Sequence, residues 1–410
     1  MNRNSGSVTA ALCCLAMICE GFDLQAPGVT LAGIREVFGL SPQVQGVFLS
    51  IGTLGMMIGA IAGGRLADRV GRKQVLLGAI LLYSVFTFLT IVADNTFWLL
   101  TIRLLTGIGL GAALPTIISV AAEGVAEHRR DLTVGILLAG PPIGAALVSL
   151  LAAVNSQTSQ WKLVYVVGGL VPALVVVPIL WWLLPDTFKS RKVSTQVVRA
   201  DIGATLFGGG RAIQTLAIWI AFFAMLLVLF VIVGWLPSLL ISRGISRSDA
   251  SLVQMLFNLG AIPGTVLAGY SFGKATSRTA ALVGFFLASI VALLLLSYSP
   301  PEIGYVIGAG LLAGMAIAGA QAIIYALAPR IYPTAGRATG MGFCVAAGRI
   351  GSALGPLLVG WMVAARFLPA TVIFSLIPVF ALAGLMALGV ARMVPLHSAA
   401  GGPRGHAGDP

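Results

Sequence analysis

Charged side chains are scarce in this sequence. Asp, Glu, Lys and Arg together make up 9% of its 410 residues, whereas soluble domains carry roughly 25%. The chain also has only 3 His and 4 Cys, and they show neither metal-binding spacing nor a disulfide framework. A Walker loop and a dinucleotide-binding fingerprint after a strand are missing as well. The scarcity of charge excludes an ordinary water-soluble domain. The missing motifs predict that the protein is not an enzyme and binds no metal or cofactor.

Long apolar runs take the place of the missing charge. Hydrophobic residues make up 58% of the chain, and runs of about 20 residues are long enough to cross a ~30 Å hydrocarbon layer as helices. We count twelve, at about 8–34, 43–66, 74–93, 96–121, 131–154, 162–184, 212–241, 249–272, 279–298, 302–328, 335–364 and 369–391. The sequence therefore predicts an all-α integral membrane protein with four parts: an N-terminal six-helix half (1–184), a central loop (185–211), a C-terminal six-helix half (212–391) and a disordered tail (392–410).

Basic residues are distributed unevenly between the runs. If the N-terminus faces the cytoplasm, most Lys and Arg lie in cytoplasmic segments, including the cluster at 65–73 and the central loop. The positive-inside rule then predicts that both termini, the central loop and the tail are cytoplasmic. The net charge of +12 is explained by this topology, with the lipid bilayer as partner and no nucleic acid.

The two halves also resemble each other in sequence. Residues 107–122 align without a gap with 314–329, and the same offset places Arg130 on Arg337. The second run ends in GRLADRVGRK (64–73), and the eighth ends in a degenerate copy, GYSFGKATSR. Two related halves around a midplane site are the architecture of many secondary transporters.

Several of these motifs resemble a known family. GRLADRVGRK resembles the loop 2–3 signature of the major facilitator superfamily. RLLTGIGLGAALP (103–115), LPDT (184–187), WLP (235–237) and YPTAGRATGMG (332–342) resemble its aromatic acid:proton symporter branch. Within that branch, EGFDLQAPG (20–28) and GLGAALP (109–115) are most similar to bacterial 3-(3-hydroxyphenyl)propionate transporters. The resemblance implies a monomeric carrier in the inner membrane of a bacterium, with a small aromatic carboxylate and a proton as partners.

Two departures from the family pattern bear on mechanism. The first acidic residue of the helix-one motif is Glu20 here, where the branch usually has Asp, and the longer side chain moves the carboxylate by about one methylene. Gly273 stands where the first half has Asp68. We therefore expect gating by these loops to be asymmetric.

Two carboxylates, Glu20 and Asp23, stand in the middle of the first run. Their spacing puts them on one helical face. An ionised carboxylate at the bilayer centre costs about 2.5–3.5 kcal/mol, so both are expected to face the protein interior, and Pro27 beside them predicts a locally irregular helix. Close carboxylates in a low dielectric resist ionising together. We predict a proton-coupling site at this pair, with Arg103 as counter-ion or as ligand of the substrate carboxylate; a buried structural salt bridge is the alternative.

Polar and aromatic side chains within other runs are candidates for holding a substrate. The second half has Leu227, Phe230 and Gly310 at the positions equivalent to the three charged residues. It offers instead amides and a phenol for a ring hydroxyl, one arginine for a carboxylate, and aromatic rings for stacking. The full set of substrate candidates is Arg103, Arg349, Gln254, Asn258, Gln321, Tyr325, Phe22 and Trp235. Helix–helix hydrogen bonds, core or lipid packing, or snorkelling in the case of Arg349, are the alternatives.

The loop signature predicts a cytoplasmic latch. An aspartate near a helix N-terminus and basic residues near last-turn carbonyls are electrostatically favourable. The predicted gating residues are Gly64, Asp68, Arg69, Gly71, Arg72, Lys73, Glu123, Arg130 and Arg337. A purely topological role explains the basic residues and leaves the aspartate unexplained.

The sequence favours a proton-coupled importer of a small aromatic carboxylate, working by alternating access. A proton-driven exporter of hydrophobic or organic-anion compounds is the alternative. A channel and a non-transporting membrane receptor are more distant possibilities. Composition does not fix the direction of flux.

Overall fold

The computed structural model describes residues 3–124, 130–155, 157, 160–184, 202–273, 278–298, 300 and 302–393. All regular structure in these ranges is helical. The helices are α1 (Arg3–Phe38), α2 (Pro42–Val70), α3 (Arg72–Leu89), α4 (Thr96–Gly124), α5 (Arg130–Leu137), α6 (Gly140–Val154), α7 (Trp161–Val171), α8 (Val177–Leu183), α9 (Ile202–Phe207), α10 (Ala212–Ile241), α11 (Arg247–Gly273), α12 (Arg278–Tyr298), α13 (Ile303–Leu327), α14 (Arg337–Ala364) and α15 (Pro369–Met393).

Twelve segments of the described chain are long and apolar enough to cross a membrane. The twelve predicted runs are thereby confirmed, each within a few residues. Two spans are interrupted at prolines. The fifth is broken before the Gly140-Pro141-Pro142 start of α6, and in the sixth a π-helical turn, Pro172–Val176, joins α7 to α8. Proline removes a backbone N–H, so a helix commonly starts or changes its winding there.

The first span corrects one expectation. α1 is helical without a break from Arg3 to Phe38, although Pro27 lies inside it. The missing N–H of Pro27 frees the backbone carbonyl of Asp23, four residues earlier. Nη2 of Arg103 donates to that carbonyl at 3.5 Å. A side chain from another helix therefore satisfies the freed acceptor, and the helix need not unwind.

Glycines set the packing within each half. A Cβ on Gly107 of α4 would lie 2.1 Å from the Gly52 carbonyl oxygen of α2, and one on Gly314 of α13 would lie 1.8 Å from the Phe257 carbonyl oxygen of α11. Gly107 and Gly314 are equivalent in the internal repeat. The same close helix crossing, which only glycine permits, thus occurs once in each half.

A short helix occupies part of the predicted central loop. α9 packs beneath the second half, where Oγ1 of Thr215 donates to the Leu206 carbonyl at 2.7 Å. Gly336, just before α14, comes so close to Thr205 that a Cβ would meet its side chain at 2.3 Å. The remainder of the predicted loop, 185–201, and the predicted tail from 394 onward lie outside the described residues.

The two halves meet tightly at one end of the molecule, here called the closed end. Glu36 at the end of α1 forms an ion pair with Arg247 at the start of α11. Gly46 of α2 and Gly360 of α14 face each other, and a Cβ on Gly46 would lie 2.8 Å from the Pro356 carbonyl oxygen. Since successive spans reverse direction, the closed end lies opposite the start of α1 and the end of α15.

Candidate functional site

The buried acid Asp23 lies at the centre of a cluster formed by α1, α3 and α4. Its side chain is 0% exposed, and that of Arg103 is 7% exposed. Nη1 of Arg103 donates to Asp23 Oδ1 at 3.3 Å, and Oγ1 of Thr87 donates to Oδ2. Both carboxylate oxygens therefore have a protein partner, as a charge inside a membrane requires.

Arg103 is held in place by backbone features as well as by the carboxylate. Its Nη2 reaches the Asp23 carbonyl that Pro27 leaves free. Gly52 of α2 makes room for the side chain, because a Cβ there would lie 3.0 Å from Arg103 Nε. That Nε has no hydrogen-bond partner among the described residues. Arg103 thus retains one donor that a ligand can use.

Glu20 lies one turn before Asp23 and is 4% exposed. Its Oε2 has no hydrogen-bond partner in the described part of the chain, and neither has the hydroxyl of the buried Tyr83 on α3. Tyr83 is within electrostatic range of both acids, and Arg349 of α14 is within range of Glu20. The two acids therefore differ, since Asp23 is fully paired and Glu20 is not.

A central cavity lies between the halves beside this cluster. The first half contributes Arg103, Gly52, Thr53 and Met56, and the second half contributes Phe230, Val233 and Pro356. Phe230 occupies the position equivalent to Asp23 in the internal repeat. The cavity therefore has a cationic group on one wall and an aromatic ring on the other.

The remaining polar candidates surround this region without lining the cavity. Nη1 of Arg349 contacts the Met56 sulfur at 3.9 Å, which places it next to a lining residue. Gln254 and Asn258 are 0% and 5% exposed, one turn apart on α11, and each has a side-chain atom that is unpaired among the described residues. Gln321 and Tyr325 on α13 are half-buried. In the described structure, neither residue lines the cavity or hydrogen-bonds to the two acids.

The two aromatic candidates pack between helices. A Cβ on Gly168 of α7 would lie 3.3 Å from the ring of Phe22. Trp235 is 2% exposed, and its Nε1 donates to the Pro356 carbonyl at 3.1 Å, joining α10 to α14. The structure places both in helix packing, away from the cavity wall.

Part of the loop signature is described at the end of α2 and the start of α3. Gly71 has φ 117°, so a residue with a side chain would be strained at this reversal. Nζ of Lys73 donates at 2.7 Å to the Leu184 carbonyl just after α8, at a helix C-terminus. Gly64 and Arg72 are half-buried, whereas these residues are exposed: Arg69, Arg337. Three predicted gating side chains lie outside what the structure describes: Asp68, Glu123 and Arg130.

Sequence reasoning missed several members of the site. Thr87 and Tyr83 were undistinguished polar residues in an apolar run, and Gly52 was one of 51 glycines. Gln25 belongs to the helix-one motif, and the sequence assigns it no role. It is 1% exposed and contacts the second half. Its buried polar side chain within the first span was the available signal.

Comparison with known proteins identifies the fold family. The sequence profile of the Major Facilitator Superfamily matches residues 13–302 and 218–407. The chain belongs to this superfamily. Among its relatives, the 3-(3-hydroxy-phenyl)propionate transporter of Escherichia coli (strain K12) is 39% identical over 87% of this chain and 87% of the relative. The gallate transporter of Pseudomonas putida is 32% identical over 93% of this chain and 91% of the relative.

Solved structures agree on the superfamily fold. A bacterial homolog of the human lysosomal transporter Spinster, inward-facing and occupied, matches with a TM-score of 0.80 at 18% identity, covering 96% of this chain and 98% of that one. The crystal structure of a D-xylose-proton symporter matches with a TM-score of 0.74 at 19% identity, covering 95% and 98%. The superfamily and its aromatic acid branch, predicted from the motifs, are confirmed, and the protein is a multi-pass membrane transporter.

Proposed function

We propose that this protein imports a small aromatic carboxylate, hydroxyphenylpropionate-like or benzoate-like, together with protons across the bacterial inner membrane. It works as a monomer by alternating access between its two halves, 1–184 and 212–391. The observation that carries this proposal is the buried set of Glu20, Asp23 and Arg103 beside a cavity shared by both halves. The names of the most similar relatives support the substrate class.

The chemistry of the cavity suits an amphipathic anion. A guanidinium binds a carboxylate with charge-assisted hydrogen bonds. Arg103 lines the cavity, and its buried Nε has no partner among the described residues. Phe230 on the opposite wall can stack on an aromatic ring. Arg349 beside Met56 is the second cation near the cavity. Gln254 and Asn258 lie outside the cavity lining, and each has an amide atom that is unpaired among the described residues, so they are the candidates for a ring hydroxyl.

Proton coupling follows from competition for Arg103. A substrate carboxylate that binds the guanidinium competes with Asp23, whose Oδ1 now lies 3.3 Å from Nη1. Protonating Asp23 weakens that ion pair and frees Arg103 for the substrate. Glu20 is buried without a partner for Oε2 among the described residues, and an unpaired buried carboxylate is costly while it is charged. A proton taken up by either acid thus favours substrate binding.

The closed end gives the structure a place in the transport cycle. The distribution of Lys and Arg puts both termini in the cytoplasm, so the closed end of Glu36, Arg247, Gly46 and Gly360 faces the outside. On this assignment the structure is closed to the outside. The loop signature lies at the opposite end, where its latch forms when the protein opens outward.

Uptake into proteoliposomes tests the function directly. Purified protein is reconstituted, an inward proton gradient is imposed, and labelled 3-(3-hydroxyphenyl)propionate, benzoate and D-xylose are compared. We expect the two carboxylates to accumulate above equilibrium and the sugar not to. Accumulation only under the reversed gradient indicates the exporter, and uptake that ignores the gradient refutes proton coupling.

Charge-neutral variants test the roles of the two acids. We expect Asp23→Asn and Glu20→Gln each to abolish gradient-driven accumulation while folded protein remains in the membrane. The matched controls are Asp94→Asn and Glu302→Gln, because both acids are exposed and lie outside the site. Accumulation at the wild-type level by both site variants contradicts the assignment and favours a purely structural salt bridge.

A further inference from the structure

The two halves are joined near their midplane by the side chain of Gln25. Its Nε2 on α1 donates to the Val233 carbonyl of α10 at 2.8 Å. Its Oε1 accepts from Nε2 of Gln254 on α11 at 3.4 Å. One amide of the first half therefore contacts two helices of the second half, and it does so while only 1% exposed.

The Val233 carbonyl is available because of Pro237. In a regular helix this oxygen would accept the N–H of residue 237, and proline has none. An unpaired buried carbonyl is costly, and Gln25 supplies the missing donor from the other half. The WLP motif thus contains the residue that creates this acceptor.

Helices α1 and α10 approach each other closely beside this bond. A Cβ on Gly28, one turn after Gln25, would lie 2.3 Å from the Val233 carbonyl oxygen. Gly28 and Val233 both line the central cavity. Along α1, Gln25 lies between Asp23 and the closed end, so the bond spans the halves on the closed-end side of the acidic site.

We propose that Gln25 is a positioning residue for transport, whose bond to the Val233 carbonyl forms when the closed end is shut and breaks when it opens. The proposal rests on the alternating-access part of the proposed function. Opening leaves the carbonyl without its donor, so the bond favours the shut state. A hydrogen bond of ordinary net strength changes such an equilibrium by about 2- to 12-fold.

Distance measurements between spin labels test this in the full-length protein. The four native cysteines are replaced, and labels are attached at Val37 and Leu368, which are exposed at the closed end and belong to different halves. Pulsed electron resonance then gives the ratio of long to short label distances. We expect Gln25→Leu to raise that ratio about 2- to 12-fold, whereas Gln74→Leu, at an exposed glutamine of α3, leaves it unchanged.

Pro237→Ala provides the decisive second variant. Alanine restores the backbone N–H that pairs with the Val233 carbonyl, so the ratio should rise although Gln25 is intact. Adding Gln25→Leu to Pro237→Ala should then change it little further. An unchanged ratio in Gln25→Leu, or fully additive effects of the two substitutions, overturns the proposal.

These distance measurements distinguish a failure of the Gln25 proposal from a failure of the proposed function. If Gln25→Leu does not fold, the Pro237→Ala ratio alone decides, since a restored N–H that leaves the ratio unchanged refutes the coupling. The measurement needs neither substrate nor a proton gradient. A protein that fails to transport aromatic acids can therefore still support the Gln25 contact, and an active transporter can refute it.

Discussion

Replacing Gly52 by alanine should impair transport without touching any charged residue. A Cβ at this position would lie 3.0 Å from Arg103 Nε and 3.5 Å from its Cζ. The guanidinium is the far end of a flexible side chain, so it moves by a few tenths of an ångström and the helices stay in place. We expect Gly52→Ala to fold normally and to bind substrate poorly.

The size of the effect follows from the Arg103 donor that the new Cβ displaces. Nε has no hydrogen-bond partner in the described part of the chain, and it is the Arg103 atom nearest to the Cβ that alanine would carry. The shift therefore moves the donor that the proposed function assigns to the substrate carboxylate. A bond to a charged group contributes about 1.5–3 kcal/mol, and about 1.4 kcal/mol is a tenfold change. The kcat/KM of uptake should fall about 10- to 100-fold.

The assay is initial uptake of labelled 3-(3-hydroxyphenyl)propionate into proteoliposomes under a fixed proton gradient. Gly78→Ala is the matched control, because a Cβ at that exposed position of α3 would meet no atom of the described residues within 4 Å. In an Arg103→Lys background, Gly52→Ala should add little, since lysine has no Nε at that place. Wild-type kinetics in folded Gly52→Ala refute the assigned role of the Arg103 position.

Three further substitutions have defined outcomes. Thr87→Val removes the donor to one oxygen of Asp23, so uptake should fall about 5-fold or more, measured as kcat/KM against external pH. Glu36→Gln breaks the partly exposed ion pair with Arg247 in the second half. Uptake should therefore change less than about 5-fold at physiological salt. A larger loss of uptake shows that the closed end depends on this pair. Gly314→Ala forces a Cβ onto a backbone carbonyl of α11, so the melting temperature of the protein in detergent should drop clearly. Gly308→Ala on the same helix should melt like the wild type, because a Cβ there would meet none of the described residues within 4 Å.

The fold could be predicted almost completely from the sequence. A span is a local property of about twenty consecutive residues, so hydropathy alone located twelve of them. The Gly107–Gly314 equivalence also appeared in the sequence repeat. What could not be predicted was the unbroken α1, because the donor that compensates Pro27 comes from Arg103, 76 positions further along the chain (103 − 27).

The site was predicted only in part, for a related reason. Glu20, Asp23 and Arg103 stand out because charge is rare in a lipid environment. Thr87 and Gly52 act through contacts between helices that are distant in sequence. Gln25 could have been found by asking which buried polar group pairs with a carbonyl that a proline has freed, and that question needs the arrangement of α1 against α10.

Both buried acids of the central site lie in the first half, whereas Phe230 stands at the position equivalent to Asp23. On the proposed function, the proton-coupling acids and the aromatic wall of the substrate cavity thus lie on opposite sides of one interface. A chimera that keeps residues 1–184 and takes its second half from the gallate relative should remain driven by protons while its preferred aromatic acid changes.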